Sequence, residues 1–141
     1  MLMFLIKKNI NKLIVSKKYK IQKILEIFNI TGIPICFAVN NKKQIIGSVT
    51  DGDIRRSITK GYKFSDKIEK ILNNSPLTVS ENYEISMVSY FMKSRSILFV
   101  PVINKKKKIV GLYCWNNLEK KENIENTIII MAGGFGKRLN H

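Results

Sequence analysis

The sequence predicts an α+β fold built as two like halves, each a β-α-β-β-α unit, related to one another by pseudo-symmetry. Three observations predict it. The 141-residue chain matches itself at an offset of 64, so that Leu13–Ile54 falls on Leu77–Leu118 without a gap and eleven of the 42 paired positions are identical. Each copy carries a stretch with helical apolar spacing, then two short apolar runs about a polar turn. Hydrophobic residues make up 45% of the chain, which suffices for a core and argues against disorder.

The elements follow in order. The opening "MLMFLI" is six apolar residues followed by Lys7 and Lys8. It is far short of the roughly 20 residues a bilayer span needs, and its charge follows the apolar run where a signal peptide's would precede it. It reads as a short strand or packing segment. Tyr19 to Asn29 places Ile21, Ile24, Leu25 and Phe28 at helical spacing, and Ile85 to Met92 repeats the pattern with Val88, Phe91 and Met92. Ile33–Val39 and Ile45–Val49 flank "NNKKQ", and Ile97–Ile103 and Ile109–Tyr113 flank "NKKKK". Both sets predict β-hairpins. A second helix is expected to start near Asp51 and, in the later copy, near Trp115. Asp51 and Asp53 suit a helix start, where a carboxylate accepts unpaired amide hydrogens and meets the positive end of the dipole. "SDKIEKIL" predicts a further helix, stopped by the polar residues around Pro76. Expected boundaries are 8–68 for the first unit and 72–121 for the second.

The stretch "GSVTDGDIRRSI", Gly47 to Ile58, concentrates chemistry at a strand-to-helix junction. A helix N-terminus presents free amide hydrogens and partial positive charge, which suit phosphate. Thr50 adds a hydroxyl, and the Asp53 carboxylate can accept both hydroxyls of a ribose. Arg55 or Arg56 can clamp phosphate oxygens through the planar guanidinium fork. The set describes a nucleotide site rather than a catalyst, since no general base in a distinct environment is evident. Spacing alone leaves open whether Asp51 and Asp53 do more than cap a helix and the arginines more than solvate it.

The repeat and this motif resemble a tandem of cystathionine-β-synthase (CBS) domains. "GSVTDGDIRR" fits the family's Gly-x-[Val/Ile]-[Thr/Ser]-x-x-Asp-[Ile/Leu]-x-Arg at every fixed position, and "SPLTVSENYEI" resembles the Pro-x-Thr-Val opening of a second unit. The resemblance implies a regulatory module that binds an adenine nucleotide (AMP, ADP or ATP) in the cleft between units and forms a homodimer. It also implies that Thr50 and Asp53 contact phosphate and ribose, while Ile33 and Pro34 flank the base. In the second copy, "GLYCWNNL", Cys114 replaces the Thr and Asn117 the Asp. A thiol is a weak hydrogen-bond partner and an amide lacks the carboxylate's charge, so a second site is expected to be weak or empty.

The chain closes on "TIIIMAGGFGKRLNH". A β-branched run from Thr127 leads into glycines that allow backbone amides close to phosphates. Met131 and Arg138 exclude a Walker P-loop, and Leu139 excludes the dinucleotide fingerprint. "MAGGFGKRL" resembles the opening of sugar-1-phosphate nucleotidyltransferases. The resemblance implies a truncated Rossmann-like domain at 127–141, with "ENIEN", Glu122–Asn126, as the boundary before it. Gly133, Gly134, Gly136, Lys137 and Arg138 would form its nucleoside-triphosphate loop. The parent enzyme would join a nucleoside triphosphate to a sugar-1-phosphate with Mg²⁺, and many such enzymes are guanylyltransferases. No catalytic set is complete in this chain. With no sheet of its own, the Thr127–Met131 strand is expected to fray or to be borrowed by a neighbour. An alternative role for the repeat is a ligand-blind dimerisation scaffold of the same enzyme.

The formal charge of +15 admits nucleic acid or an anionic surface as partner. The charge is dispersed along the sequence without interleaved aromatics, so Lys is read as the default surface residue and a nucleic-acid partner is not expected. Lys105–Lys108 reads as a solvated turn. Cys36 and Cys114 lie in apolar runs without metal-ligand spacing and are expected to be buried thiols of a cytoplasmic protein. The lone His141 gives no metal site and no triad.

Overall fold

The computed structural model describes residues 2–116 and 127–130. The element order is β1 (Leu2–Ile6), a 3-10 turn at Ile10–Leu13, β2 (Ile14–Val15), α1 (Ile21–Thr31), β3 (Ile35–Val39), β4 (Ile45–Thr50) and α2 (Asp51–Thr59). A second 3-10 turn at Ile68–Lys70 precedes β5 (Val79–Ser80), α3 (Ile85–Ser94), β6 (Phe99–Ile103), β7 (Ile109–Asn116) and β8 (Thr127–Ile130). Two sheets form, in the orders β2-β3-β4 and β5-β6-β7-β1-β8. In each copy a short strand pairs in parallel with the first hairpin strand: β2 with β3, and β5 with β6.

Strand alternation explains how the sheets pack. Cys36 and Val49 face the helices of the first unit, in a core with Ile21, Ile24, Phe28, Ile54 and Ile68. Ile35 and Phe37 face the opposite way and meet Ile109, Leu112 and Cys114 from the second copy. Val100, Val102 and Tyr113 pack with Val88 and Met92 of α3 and with Met3 of β1. Each unit thus has a core under its helix, and a third core joins the two sheets. The hairpin turns also meet. Ile45 N–H donates to the Lys107 carbonyl at 3.2 Å, and Gln44 forms a β-bridge with Lys108. Gln44 and Lys108 are 64 residues apart, so the pseudo-twofold axis passes between them.

The first six residues serve the far end of the chain. β1 pairs antiparallel with β7, from Leu2↔Asn116 to Ile6↔Leu112. The counterpart of β1 in the first unit is the linker, where Ser48 of β4 and Asn73 exchange backbone hydrogen bonds at 3.0 and 2.9 Å. The matched glycines explain both contacts. A Cβ on Gly47 would lie 3.0 Å from the Asn73 carbonyl oxygen, and one on Gly111 would lie 3.1 Å from Leu5 and 3.3 Å from the Ile6 carbonyl oxygen. Only glycine admits a neighbour so close to the sheet.

Two expectations are corrected. "SDKIEKIL" makes only the 3-10 turn Ile68–Lys70. Its backbone is captured instead by the first unit: Ile21 N–H donates to Asp66, Ile68 N–H to Tyr19 and Glu69 N–H to Lys17. Among the described residues no helix starts at Trp115, because β7 continues through Asn116, paired with Met3 and Leu2. Trp115 and Asn116 are therefore strand where their counterparts Asp51 and Gly52 are helix, and residues 117–126 lie outside the described residues. The expected first strand of a further domain is a strand at Thr127–Ile130. It lies antiparallel on β1 at the edge of the second sheet, borrowed by a neighbour. Gly133, Gly134, Gly136, Lys137 and Arg138 lie outside the described residues, as do Asn117 and the Glu122–Asn126 boundary.

Candidate functional site

The β4–α2 junction is built as anticipated for a capped helix, with one change of role. The cap is Thr50 rather than Asp51. Thr50 is extended (φ −110°, ψ 168°), and its Oγ1 accepts from the Asp53 amide at 3.2 Å. Asp53 closes the capping box: its Oδ2 accepts from Thr50 N–H at 2.8 Å and from Thr50 Oγ1 at 2.9 Å. The Thr-x-x-Asp spacing carries this signal in the sequence. Arg56 Nη2 donates to Asp53 Oδ1 at 2.7 Å. Its guanidinium crosses Gly52, where an added Cβ would approach Nη1 to 3.2 Å.

The start of β3 joins this corner. Asp51 N–H donates to the Pro34 carbonyl at 3.2 Å, and Ile35 is the register partner of Thr50. Ile33 packs half-buried against the core between the sheets, and Pro34 is exposed. Thr50, Asp53, Arg56, Ile33 and Pro34 are therefore brought together. Arg55 is not: it pairs with Asp51 at 2.7 Å, and its side chain is 80% exposed.

Asp53 is mostly shielded, with 21% of its side chain exposed, whereas Arg56 is 68% exposed. A carboxylate offers about four acceptor positions. Thr50 and Arg56 together use three of them. A polyol would bind by displacing the Arg56 fork from Oδ1, which frees that guanidinium for an anion. Two grooves, of about 350 and 410 Å³, lie away from this corner, on either side of Tyr19.

The matching corner of the second copy keeps one of these contacts among the described residues, while Asn117, the counterpart of Asp53, lies outside them. Trp115 N–H donates to the Leu98 carbonyl at 2.8 Å, the counterpart of Asp51 to Pro34. Cys114 is buried in the core between the sheets, and burial pushes its thiol up to about 12. Cys36 is likewise buried and pushed up to about 12. Neither thiol is poised as a nucleophile or a ligand. No group of three or more His, Cys, Asp or Glu gathers among the described residues. No helix among them is long and apolar enough to cross a membrane.

The CBS domain family model matches residues 6–60. A probable arabinose 5-phosphate isomerase of Haemophilus influenzae is 36% identical over 76 residues, covering 52% of this chain and 23% of that protein. The chain spans about a third or less of the length of the curated relatives it matches first. Among solved structures, a CBS domain pair in complex with 5′-methylthioadenosine and S-adenosyl-L-methionine superposes with a TM-score of 0.66 at 22% identity, covering 77% of this chain and 92% of that one. A CBS domain protein from Pyrobaculum aerophilum complexed with AMP does so with a TM-score of 0.66 at 19% identity, covering 72% and 79%. These likenesses show the fold. The described chain has the fold of a CBS domain pair, and its first unit matches the CBS domain itself.

Proposed function

We propose that this chain is a regulatory module that binds an adenine nucleotide at the corner formed by Thr50, Asp53 and Ile33–Pro34. The observation that carries the reading is the Asp51–Pro34 hydrogen bond, which sets an apolar strand opening beside a hydroxyl, a shielded carboxylate and an exposed guanidinium. The carboxylate takes ribose hydroxyls, Thr50 and Arg56 take phosphate, and Ile33 and Pro34 flank the base. Similar folds binding AMP and S-adenosyl-L-methionine support the choice of an adenine nucleotide. In the longer protein to which "MAGGFGKRL" points, the module regulates a sugar-1-phosphate nucleotidyltransferase that uses Mg²⁺, with Gly133, Gly134, Gly136, Lys137 and Arg138 in its nucleotide loop. Apolar side chains left exposed on the helices, Ile30 at 76% and Tyr90 at 64%, support a homodimer.

A second reading has its own observation. Asp53 is already engaged by Thr50 and Arg56, and the second corner has Cys114 in place of Thr, as a ligand-blind dimerisation scaffold requires. A thermal-shift panel of AMP, ADP, ATP, GTP, CMP and CTP separates the two. Stabilisation by adenine nucleotides is expected, and no shift with any of them leaves only the scaffold.

A further inference from the structure

The fold gathers lysines that the sequence scatters. The turns of the two hairpins lie against each other across the pseudo-twofold axis, joined by Ile45 N–H to the Lys107 carbonyl and by Gln44 Nε2 to the Lys106 carbonyl, each at 3.2 Å. This brings Lys42, Lys43 and Lys105–Lys108, all exposed, to one edge. Among the described residues none of the six pairs with a carboxylate. Both turns also hold a lysine in the left-handed region, Lys43 at φ 64° and Lys107 at φ 61°, where glycine or asparagine fits with less strain. Both turns thus present a lysine at the same left-handed position, 64 residues apart.

The edge continues into the two grooves. One, of about 350 Å³, runs from Lys43, Asn40 and Asn41 to Ser16 and Tyr19. The other, of about 410 Å³, begins at the same Tyr19 and is lined by Lys18, Lys20, Gln22, Lys23 and Glu26, with Glu26 pairing Lys23 at 3.4 Å and leaving Lys18 and Lys20 for phosphate. Tyr19 is 41% exposed and belongs to both. An aromatic face between two lysine-bearing grooves is how a single strand is held, with a base stacked on the ring and phosphates on the cations. A membrane surface fits less well, because none of the exposed large apolar side chains lies in either turn. A duplex would leave Tyr19 without a base to stack.

We infer that the lysine edge and the grooves flanking Tyr19 bind single-stranded nucleic acid, RNA or DNA, without sequence preference and apart from the Thr50–Asp53 corner.

The test is fluorescence anisotropy on the full chain. The probes are a labelled oligouridylate and an oligothymidylate of about twelve nucleotides, within the usual span of such sites, a hairpin duplex of equal charge, and vesicles of anionic phospholipid. Both single strands should bind more tightly than duplex or vesicles; a preference for one of them names the natural source. With four to six phosphates engaged, affinity should fall roughly 50- to 300-fold between about 50 and 200 mM salt. Lys105→Glu/Lys106→Glu/Lys108→Glu should weaken binding and flatten the salt slope. Tyr19→Ala should lose roughly five- to a hundredfold with the slope kept. Tyr19→Leu, which keeps apolar bulk, replaces it if the melting transition shows that Ala unfolds the chain. Three results overturn the inference: no binding of either single strand at the lowest salt, duplex or vesicles bound as tightly as single strand, or a folded Tyr19 variant with the parent's affinity.

Discussion

Thr50 and Asp53 hold two jobs in one geometry. Their reciprocal hydrogen bonds satisfy the first amides of α2, and the same atoms form the wall proposed to meet a ribose phosphate. Removing the cap therefore carries a stability cost whether or not a ligand binds. Thr50→Ala should lower unfolding free energy by about 1 kcal/mol, within the usual 0.5–2 for a lost N-cap, as read from the urea midpoint. The Thr-x-x-Asp spacing was legible in the sequence. The division of the arginines was not, because Arg55 and Arg56 each have an acidic residue at helical reach and only the fold sends one to Asp51 and the other across Gly52 to Asp53. The cysteines give a second test at this scale. Burial raises both thiols from the ordinary 9.0 to about 12, so the folded state keeps protons that the unfolded state releases. Their contribution is complete below pH 9 and is lost as pH rises from 9 toward 12. Stability of Cys36→Ala/Cys114→Ala, followed by denaturation at successive pH values, should fall less steeply across that window than the parent's. An equal slope would place the titrating groups elsewhere.

The elements show where a repeat stops predicting structure. Both hairpins, both amphipathic helices and the start of α2 lie within a few residues of where periodicity puts them. The failures share a cause in partners far away in sequence. "SDKIEKIL" has helical apolar spacing, yet Ile68 is fully buried and the neighbouring amides bond to the Lys17–Tyr19 segment, which leaves one 3-10 turn. At Trp115 two effects act together. Cys114 supplies no capping oxygen, and β1 offers strand partners through Asn116, so the chain stays extended where its counterpart turns helical. β1 is thus a structural part of the second unit. Met3 is fully buried in that unit's core. Met3→Ala should cost about 2–5 kcal/mol by chemical denaturation, the range for a truncated core side chain. Gly111→Ala should cost about 1–3 kcal/mol by forcing Leu5 and Ile6 away from β7. A Gly111→Ala protein as stable as the parent would mean that β1 does not pack against β7 as described.

At the scale of the molecule, the pseudo-twofold relation follows from the central core. Ile35 and Phe37 of one copy meet Leu112 and Cys114 of the other, and the hairpin turns lock beside them. The repeat foretold two units but not that their lysine turns would share an edge, since Lys42–Lys43 and Lys105–Lys108 are some sixty residues apart in the chain. That edge carries six lysines without carboxylate partners among the described residues, so their mutual repulsion opposes folding at low ionic strength. Raising salt from about 0.05 to 0.5 M should raise the melting temperature of the parent, and by less in Lys105→Glu/Lys106→Glu/Lys108→Glu, as followed by circular dichroism. The site proposed for a nucleotide lies elsewhere, at the corner where Pro34 meets Asp51, and its central claim is that the Asp53 carboxylate accepts ribose hydroxyls. The most direct test is calorimetric titration of AMP and 2′-deoxy-AMP into the parent and into Asp53→Ala. The parent should prefer AMP by about 1–3 kcal/mol, the cost of leaving a shielded polar partner unpaired, and Asp53→Ala should bind both weakly and alike. Equal affinity of the parent for the two nucleotides, or a preference that survives in Asp53→Ala, would contradict it.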